Sequence, residues 1–289
     1  MLFITGSESY IGKRLIEICK INRIKYFGVD INTKNTKNSK KIDIRDKNLK
    51  KYIPNNSTII HLAAISKDKD CNKNPNLCMD ININGTLNLI HAAKKKLVKN
   101  FIFASSEWVY GDNRSNLLNE NSKLIIDENF SLYAQSKIII EKFLNTSKIF
   151  KNINILRFGI IYGGIKKENW SAVESIFEIV KKENRILIGS KITSRKFIYL
   201  DDLINGILLS VKSKGYNIFN LSGNKSITLK KIVEISEKCL HKKIKIYEKN
   251  PNKPSIRNID GSKAMKNLGW KIGMRLEEYL EIRAKKNEK

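Results

Sequence analysis

Tyr133-Ala134-Gln135-Ser136-Lys137 places a phenol and an amine four residues apart, on one face if the segment is helical. An ammonium beside a phenol favours the phenolate and lowers its pKa from about 10 toward neutrality. Such a tyrosine can exchange a proton with a sugar hydroxyl while a hydride moves. A second chemistry-bearing segment lies near the start, Thr5-Gly6-Ser7-Glu8-Ser9-Tyr10-Ile11-Gly12. A glycine turn between a strand and a helix presents backbone N–H groups to a pyrophosphate at the positive helix end. Gly6, Ser9, Tyr10, Ile11 and Gly12 are therefore candidate cofactor contacts, with Ser9 standing where the dinucleotide fingerprint has its middle glycine. Asp30 ends the next apolar run, where a carboxylate accepts both ribose hydroxyls and repels a 2′-phosphate, which points to NAD rather than NADP. Asp43 and Ile44, in Lys41-Ile42-Asp43-Ile44, are candidates for the adenine end.

These groups need a scaffold. Leu2–Thr5, Tyr26–Asp30, Thr58–Ala64, Asn100–Ser105 and Ile153–Phe158 read as strands, the third as a buried one. Gly12–Lys20, Asp80–Lys95, Leu132–Asn145 and Ile227–Leu240 carry helical spacing, the last with Thr228 as N-cap. Asn32–Lys41 is polar and of low complexity and reads as a loop. Alternating strands and helices imply βαβ units and a parallel sheet, an α/β protein.

Composition narrows the function classes. In 289 residues, 41% hydrophobic content sustains a core, and no apolar run approaches the roughly 20 residues of a membrane span. Met1-Leu2-Phe3-Ile4 reads as a strand rather than a secretory leader. Net charge is +27, yet 45 of the 55 basic residues are Lys and only 10 are Arg, spread along the whole chain. Base readout favours the arginine fork, so a solvated surface is the reading and nucleic acid is not a partner. The segment Arg283–Lys289 reads as a frayed end. Four cysteines make no disulfide framework, and Cys71 and Cys78 have no histidine pair nearby, so neither a metal site nor a disulfide is expected. The expectation is a reduced, cytoplasmic, soluble protein.

Further motifs follow in order: His61-Leu62-Ala63-Ala64, Asn82-Ile83-Asn84-Gly85-Thr86, Phe103-Ala104-Ser105-Ser106-Glu107-Trp108-Val109-Tyr110-Gly111, and Leu156-Arg157-Phe158-Gly159-Ile160-Ile161-Tyr162-Gly163. Arg195-Lys196-Phe197-Ile198-Tyr199-Leu200-Asp201-Asp202, Phe219-Asn220-Leu221-Ser222-Gly223 and Leu268-Gly269-Trp270 complete the series. With the phosphate loop and Tyr133/Lys137, this succession resembles the extended short-chain dehydrogenase/reductases of the NAD-dependent nucleotide-sugar epimerase/dehydratase family, nearly end to end.

The resemblance implies a Rossmann doubly wound parallel sheet over residues 1–160, with returning segments at about 197–225. A smaller C-terminal α/β cap over 161–196 and 226–289 is implied to bind the substrate, with the nucleotide sugar between the two parts. It implies Ser106, Tyr133 and Lys137 as catalytic residues. Lys137 would hold the nicotinamide ribose, with Leu62, Ala63 and Ala64 passing close to the NAD cofactor. Asn82 would support the site through a water. Ser106, Glu107, Tyr133, Arg195 and Arg257 are the implied substrate contacts, the two arginines toward a diphosphate, whose geometry suits a guanidinium fork. A homodimer through the Asp80–Lys95 and Leu132–Asn145 helices is implied as well.

Several positions depart from the family pattern. Ile160 stands where many epimerases have Asn, and Gly164 stands where Pro usually follows Tyr-Gly. Glu107-Trp108 replaces the Asp-Glu pair of the dehydratases, which counts against 4,6-dehydration. The expected activity is therefore epimerisation of a nucleotide-activated hexose at C4 through a transient 4-keto sugar, in surface-polysaccharide synthesis. The alternatives are an NAD(P)H-dependent reductase of a 4-keto nucleotide sugar and an inactive cofactor-binding protein.

Overall fold

The computed structural model describes residues 1–112, 116–125, 131–164 and 171–286. Among these, strands Leu2–Thr5 (β1), Tyr26–Asp30 (β2), Ser39–Lys41 (β3), Thr58–His61 (β4), Asn100–Ser106 (β5) and Asn152–Phe158 (β6) join Tyr216–Leu221 in a seven-stranded sheet. The order across it is Tyr216–Leu221, β6, β5, β4, β1, β2, β3. β1 pairs in parallel with both β2 and β4, β2 with β3, and β4 with β5. The strand order reverses beside β1, the place where doubly wound sheets bind their ligands. Every residue of β1 and β4 is buried, as in a parallel sheet covered on both faces. This is the Rossmann-type α/β architecture that the alternation of strands and helices implied.

β3 corrects the reading of Asn32–Lys41 as loop throughout. Ser39–Lys41 pairs with Gly28–Asp30 at the sheet edge, where polar side chains are tolerated and hydrophobic patterning is silent.

Helix α1 (Tyr10–Ile21) buries Leu15 and Cys19 against the sheet. The short helices α2 (Asp68–Lys73) and α3 (Pro75–Met79) meet at Asn74, whose side chain caps α3 by accepting the Leu77 N–H. This bend brings the Cα atoms of Cys71 and Cys78 to 5.0 Å, and the two are joined in a disulfide. The expectation of an all-reduced cysteine set is thereby corrected; Cys19 and Cys239 are free thiols. Spacing could not show the pairing, because it depends on the turn between two helices of one or two turns each.

Asp80–Lys95 is likewise not one regular helix. Asp80–Gly85 winds as a π-helical turn before α4 (Thr86–Lys94) begins. A Cβ on Gly85 would meet Ile44 Cδ1 at 2.7 Å, so the glycine is what lets the segment after β3 pack here. Helix α5 (Leu132–Ser147) starts at Ser131, which accepts the Ala134 N–H and donates to Asp68.

Two compact units emerge. One comprises Met1–Gly111, Lys123–Arg157 and Ile207–Phe219, and its core includes Phe3, Val29, Leu49, Leu89, Phe101 and Ile155. The other comprises Asp112–Ser122, Phe158–Gly206 and Asn220–Lys289, with a core of Phe177, Ile188, Ile232, Val233 and Leu280. Beyond the first six sheet strands, the chain forms α6 (Ala172–Lys182), α7 (Leu200–Ser210), α8 (Leu229–Cys239), α9 (Ser262–Leu268) and α10 (Leu276–Lys286). Thr228 caps α8 by accepting the Lys231 N–H. Strand pairs Arg185–Ile188 with Lys245–Glu248, Ser194–Arg195 with Ile227–Thr228 and Ile161–Tyr162 with Ile198–Tyr199 also belong to the second unit.

The reading of Arg283–Lys289 as frayed is corrected up to Lys286: α10 continues through it, and Arg283 pairs with Glu178 at 2.9 Å. Residues 287–289 lie outside the described residues. Among the described residues no helix is long and apolar enough to cross a membrane, and no group of His, Cys, Asp and Glu could hold a metal ion.

Candidate active site

The phosphate loop is shaped by Gly6, at φ +71°, a conformation that disfavours any side chain. A Cβ on Gly6 would also stand 2.7 Å from the Ala63 nitrogen, and one on Gly12 only 2.2 Å from the Gly6 oxygen. Loop, α1 and the segment after β4 therefore pack backbone to backbone. Ser9 takes the N-cap of α1, at φ −64°, and accepts the Gly12 N–H at 3.0 Å. Its backbone is extended, so the Cβ costs no strain there, and the hydroxyl satisfies a helix-end donor. Tyr10 and Ile11 form the first turn of α1.

Beside this loop is a groove of about 250 Å³, lined by Gly6, Ser9, Asp30, Asp43, Ile44, Leu62, Ala63 and Ala64 among others. Asp30 accepts the Glu8 N–H at 3.0 Å on one carboxylate oxygen and the Asn32 N–H at 2.9 Å on the other, which fixes its orientation. A helix N-terminus, an oriented carboxylate and an apolar wall of Ile42, Ile44 and Ile81 suit the phosphate, ribose and base of a dinucleotide in turn. Asp43 lines the groove, but Arg45 holds its carboxylate with bonds of 3.0 and 2.6 Å and thereby lowers its pKa. Arg45 also reaches Asp80 at 2.7 Å, tying this end of the groove to the π turn.

The second cluster sits where β5 ends and α5 begins. Ser106 is the last residue of β5 and caps the following turn Glu107–Tyr110 by accepting the Trp108 N–H. Glu107 is fully buried. Tyr133 and Lys137, on the first two turns of α5, are both buried. Lys137 Nζ donates to the Ala104 carbonyl at 2.8 Å and lies over the rings of Phe103 (4.8 Å) and Tyr133 (5.6 Å). Ser106, Tyr133 and Lys137 are thus brought together, with Ser106 near enough to the Tyr133 phenol to lower its pKa slightly.

The electrostatics differ from the sequence expectation. Burial pushes the Tyr133 phenol up to about 12, against a smaller lowering from Ser106. Burial pulls the Lys137 ammonium down to about 7, partly opposed by the charge of Glu141. The direction is therefore set by desolvation rather than by the expected lowering from Lys137. Tyr133 rests as a phenol, and Lys137 gains or loses its proton near neutrality.

Supporting groups surround this cluster, among them Asn82, which the family resemblance named. Asn82 is buried and accepts the Ile65 N–H at 2.8 Å, while donating to the Ile65 carbonyl and to Ser136 Oγ, both at 3.0 Å. Ser136 in turn donates to the Tyr133 carbonyl at 2.7 Å, so Asn82 clamps α5 to the segment after β4. Glu141, one turn beyond Lys137, pairs with Arg157 at 2.6 Å, and Ser105 donates to the same carboxylate. Arg157 also donates to Tyr110 Oη at 2.8 Å. The i, i+4 spacing of Lys137 and Glu141 is the sequence signal for this pair. His61, buried between Thr5 and Thr86 at 2.6 and 2.8 Å, is held neutral by its burial, at about 3. The Cys71–Cys78 disulfide packs in one apolar cluster with Tyr133, Ile65 and Trp108.

Arg195 and Arg257 belong to the second unit, where they come together around Asp112. Ile160 packs at the edge of that unit's core. Gly164 lies at φ +100°, a conformation closed to the proline expected at this place.

The profile of the NAD dependent epimerase/dehydratase family matches residues 2–222. UDP-glucuronate 4-epimerase of Thermodesulfobacterium geofontis is 33% identical over 230 residues, covering 78% of this chain and 70% of the relative. The dTDP-4-dehydro-6-deoxyglucose reductase of Escherichia coli is 30% identical over 318 residues, covering 97% of this chain and 95% of the relative. Among solved structures, UDP-glucose 4-epimerase with UDP-glucose from Thermotoga maritima is similar with a TM-score of 0.86 at 22% identity, over 99% of this chain and 98% of that one. The phosphate loop, the Asp30 groove and the Ser106/Tyr133/Lys137 cluster agree with that assignment: the chain belongs to the NAD-dependent epimerase/dehydratase family.

Proposed function

We propose that this protein epimerises a nucleotide-activated hexose at C4, with Ser106, Tyr133 and Lys137 as its catalytic residues and Arg195 and Arg257 as contacts to the substrate diphosphate. The observation that carries this reading is the buried cluster of Ser106, Tyr133 and Lys137, with the Lys137 ammonium 5.6 Å from the centre of the Tyr133 ring. Gly6, Ser9, Tyr10, Ile11, Gly12, Asp30 and Leu62–Ala64 hold NAD, with Ile44 and the Asp43–Arg45 pair at its adenine end. The bound cofactor supplies a reversible hydride acceptor.

Tyr133 takes the proton of the C4 hydroxyl as the carbon is oxidised, and returns it to the carbonyl oxygen on reduction. Ser106 hydrogen-bonds the same oxygen. Burial keeps Tyr133 a phenol at rest, the form needed to donate in the return step. Removing a proton from substrate needs the phenolate, and a charged Lys137 over the ring favours it. Lys137 titrates near 7, so a modest added negative charge beside it suffices to keep it protonated. Glu141, anchored by Arg157 and Ser105, supplies part of that charge. Between the two half-reactions the 4-keto sugar turns over in the site, and no external reductant is consumed.

Glu107-Trp108 after Ser106 lacks the acid–base pair that 4,6-dehydration uses. A reductase reading keeps the same three residues and is favoured by the near full-length match to the E. coli reductase; Asp30 argues against its NADPH form. The proposal includes a cytoplasmic homodimer in surface-glycan synthesis. Ile139 leaves a large apolar side chain exposed on α5, one of the helices that would form the dimer.

The test is incubation of purified protein with UDP-, dTDP-, GDP- and CDP-hexoses and no added cofactor, followed by NMR of the sugars. C4 inversion supports the epimerase. Turnover of only a 4-keto sugar, and only with NADH or NADPH supplied, moves the assignment to reductase.

A further inference from the structure

Arg195 and Arg257 are not simply two cations on a surface. Arg257 is buried, with only 4% of its side chain exposed, while Asp112 beside it is 48% exposed. One Asp112 oxygen lies 3.2 Å from Arg257 Nη2 and 3.8 Å from Arg195 Nη2. The same oxygen accepts the Ser255 hydroxyl at 2.6 Å. Ser255 Oγ in turn accepts Arg195 Nη2 at 2.5 Å, and the Ser255 carbonyl accepts Arg195 Nη1 at 2.7 Å. Backbone pairing fixes the frame: Ser194 N–H donates to the Ser255 carbonyl, and Arg257 N–H donates to the Ser194 carbonyl. The two guanidinium groups are therefore preorganised by strand pairing, with an exposed carboxylate lying across them.

A carboxylate and a phosphate present the same chemistry to a guanidinium fork: planar or tetrahedral anionic oxygens that accept two N–H donors. We propose that Asp112 is an internal competitor for the substrate diphosphate, a carboxylate that occupies the seat of Arg195 and Arg257 and swings out when the diphosphate arrives. This rests on the reading of those arginines as diphosphate contacts. Asp112 is the member of the cluster able to leave, since it is half in solvent while Arg195 is held by Ser194 and Ser255 and Arg257 is buried. Its charge lowers affinity for every diphosphate. Because the seat must be free before any anion enters it, the affinity of every ligand falls by the same factor, set by the fraction of time Asp112 is away.

Isothermal titration of the wild type and of Asp112→Asn with UDP, dTDP, GDP, CDP and inorganic phosphate tests this. Loss of one negative charge at contact distance, partly screened by solvent, is expected to tighten the best-bound diphosphate about tenfold. Inorganic phosphate bound at the same arginines gains by a similar factor. Asp112→Glu restores weaker, wild-type-like binding, and KM for the nucleotide sugar follows the dissociation constants. Unchanged or weaker diphosphate binding in Asp112→Asn, with an unaltered melting temperature, overturns the inference and makes Asp112 a positioning residue for the arginines. If the wild type turns over a nucleotide sugar and Asp112→Asn shows no gain, the epimerase reading stands and only this inference falls. If neither protein binds any diphosphate, the placement of Arg195 and Arg257 falls with it.

Discussion

Lys137→Met should make the protein more stable while abolishing its activity. Lys137 is buried, and its pKa falls from the ordinary 10.5 to about 7. The unfolded chain binds that proton more tightly than the folded one, so folding at pH 7 works against a penalty of about 4 kcal/mol, at 1.36 kcal/mol per unit. Because the folded value lies below the unfolded one, the penalty is largest at and below pH 7. It fades as pH rises toward 10.5. Methionine fills the same space without a charge but forfeits the 2.8 Å bond to the Ala104 carbonyl, a loss of about 1.5–3 kcal/mol for a charged donor. Glu141 keeps Arg157 and Ser105 as partners. The net gain is about 2 kcal/mol at pH 7 and about zero near pH 10. Urea unfolding of both proteins at pH 7, 8.5 and 10 measures it. A methionine variant less stable than wild type at pH 7, or a difference that does not change with pH, would refute the claim that desolvation dominates this lysine.

Tyr133→Phe is expected to lower kcat by about 10²–10⁴, the range of positioned general acid–base groups, with NAD binding and melting temperature unchanged. Arg157→Met strands the Glu141 carboxylate in a buried site and should cost about 3–5 kcal/mol in denaturant unfolding, more than any exposed ion pair of the chain. Ser9→Ala removes the cap of α1 and should cost about 1 kcal/mol, whereas Ser9→Gly costs only a few tenths; fluorescence titration shows whether either changes NAD affinity. Reduction of Cys71–Cys78, or its replacement by two alanines, should cost about 2–3 kcal/mol from the short closed loop, read as a shift of the urea midpoint with and without reductant. Because the pair packs with Tyr133, that loss should be accompanied by lower activity.

The central sheet was legible because its strands are continuous apolar runs, and buried parallel strands need nothing subtler. The phosphate loop and the Tyr133/Lys137 helix were legible because local geometry follows local spacing: a glycine with positive φ, an N-cap, and an i, i+4 pair. Long-range structure escaped. The edge strand Ser39–Lys41 carries no hydrophobic signal, the Cys71–Cys78 bond depends on a bend at Asn74, and the π turn at Asp80–Gly85 keeps helical composition while changing its winding. The direction of the Tyr133 shift escaped for a similar reason. Spacing places Lys137 near the phenol, but only the packed structure shows that the phenol is buried and that burial raises its pKa. Asp112 carried no motif at all, and its meaning comes from Ser255 and Arg257, far away in sequence.

The central claim is that a hydride leaves C4 of the sugar and returns to its opposite face within one active site. The most direct measurement uses a nucleotide hexose deuterated at C4, incubated with the protein in ordinary water without added cofactor, with the product analysed by deuterium NMR and mass spectrometry. The account predicts a C4-inverted product that retains the deuterium at C4. Inversion with loss of deuterium to solvent, or inversion at another carbon with C4 untouched, would contradict it.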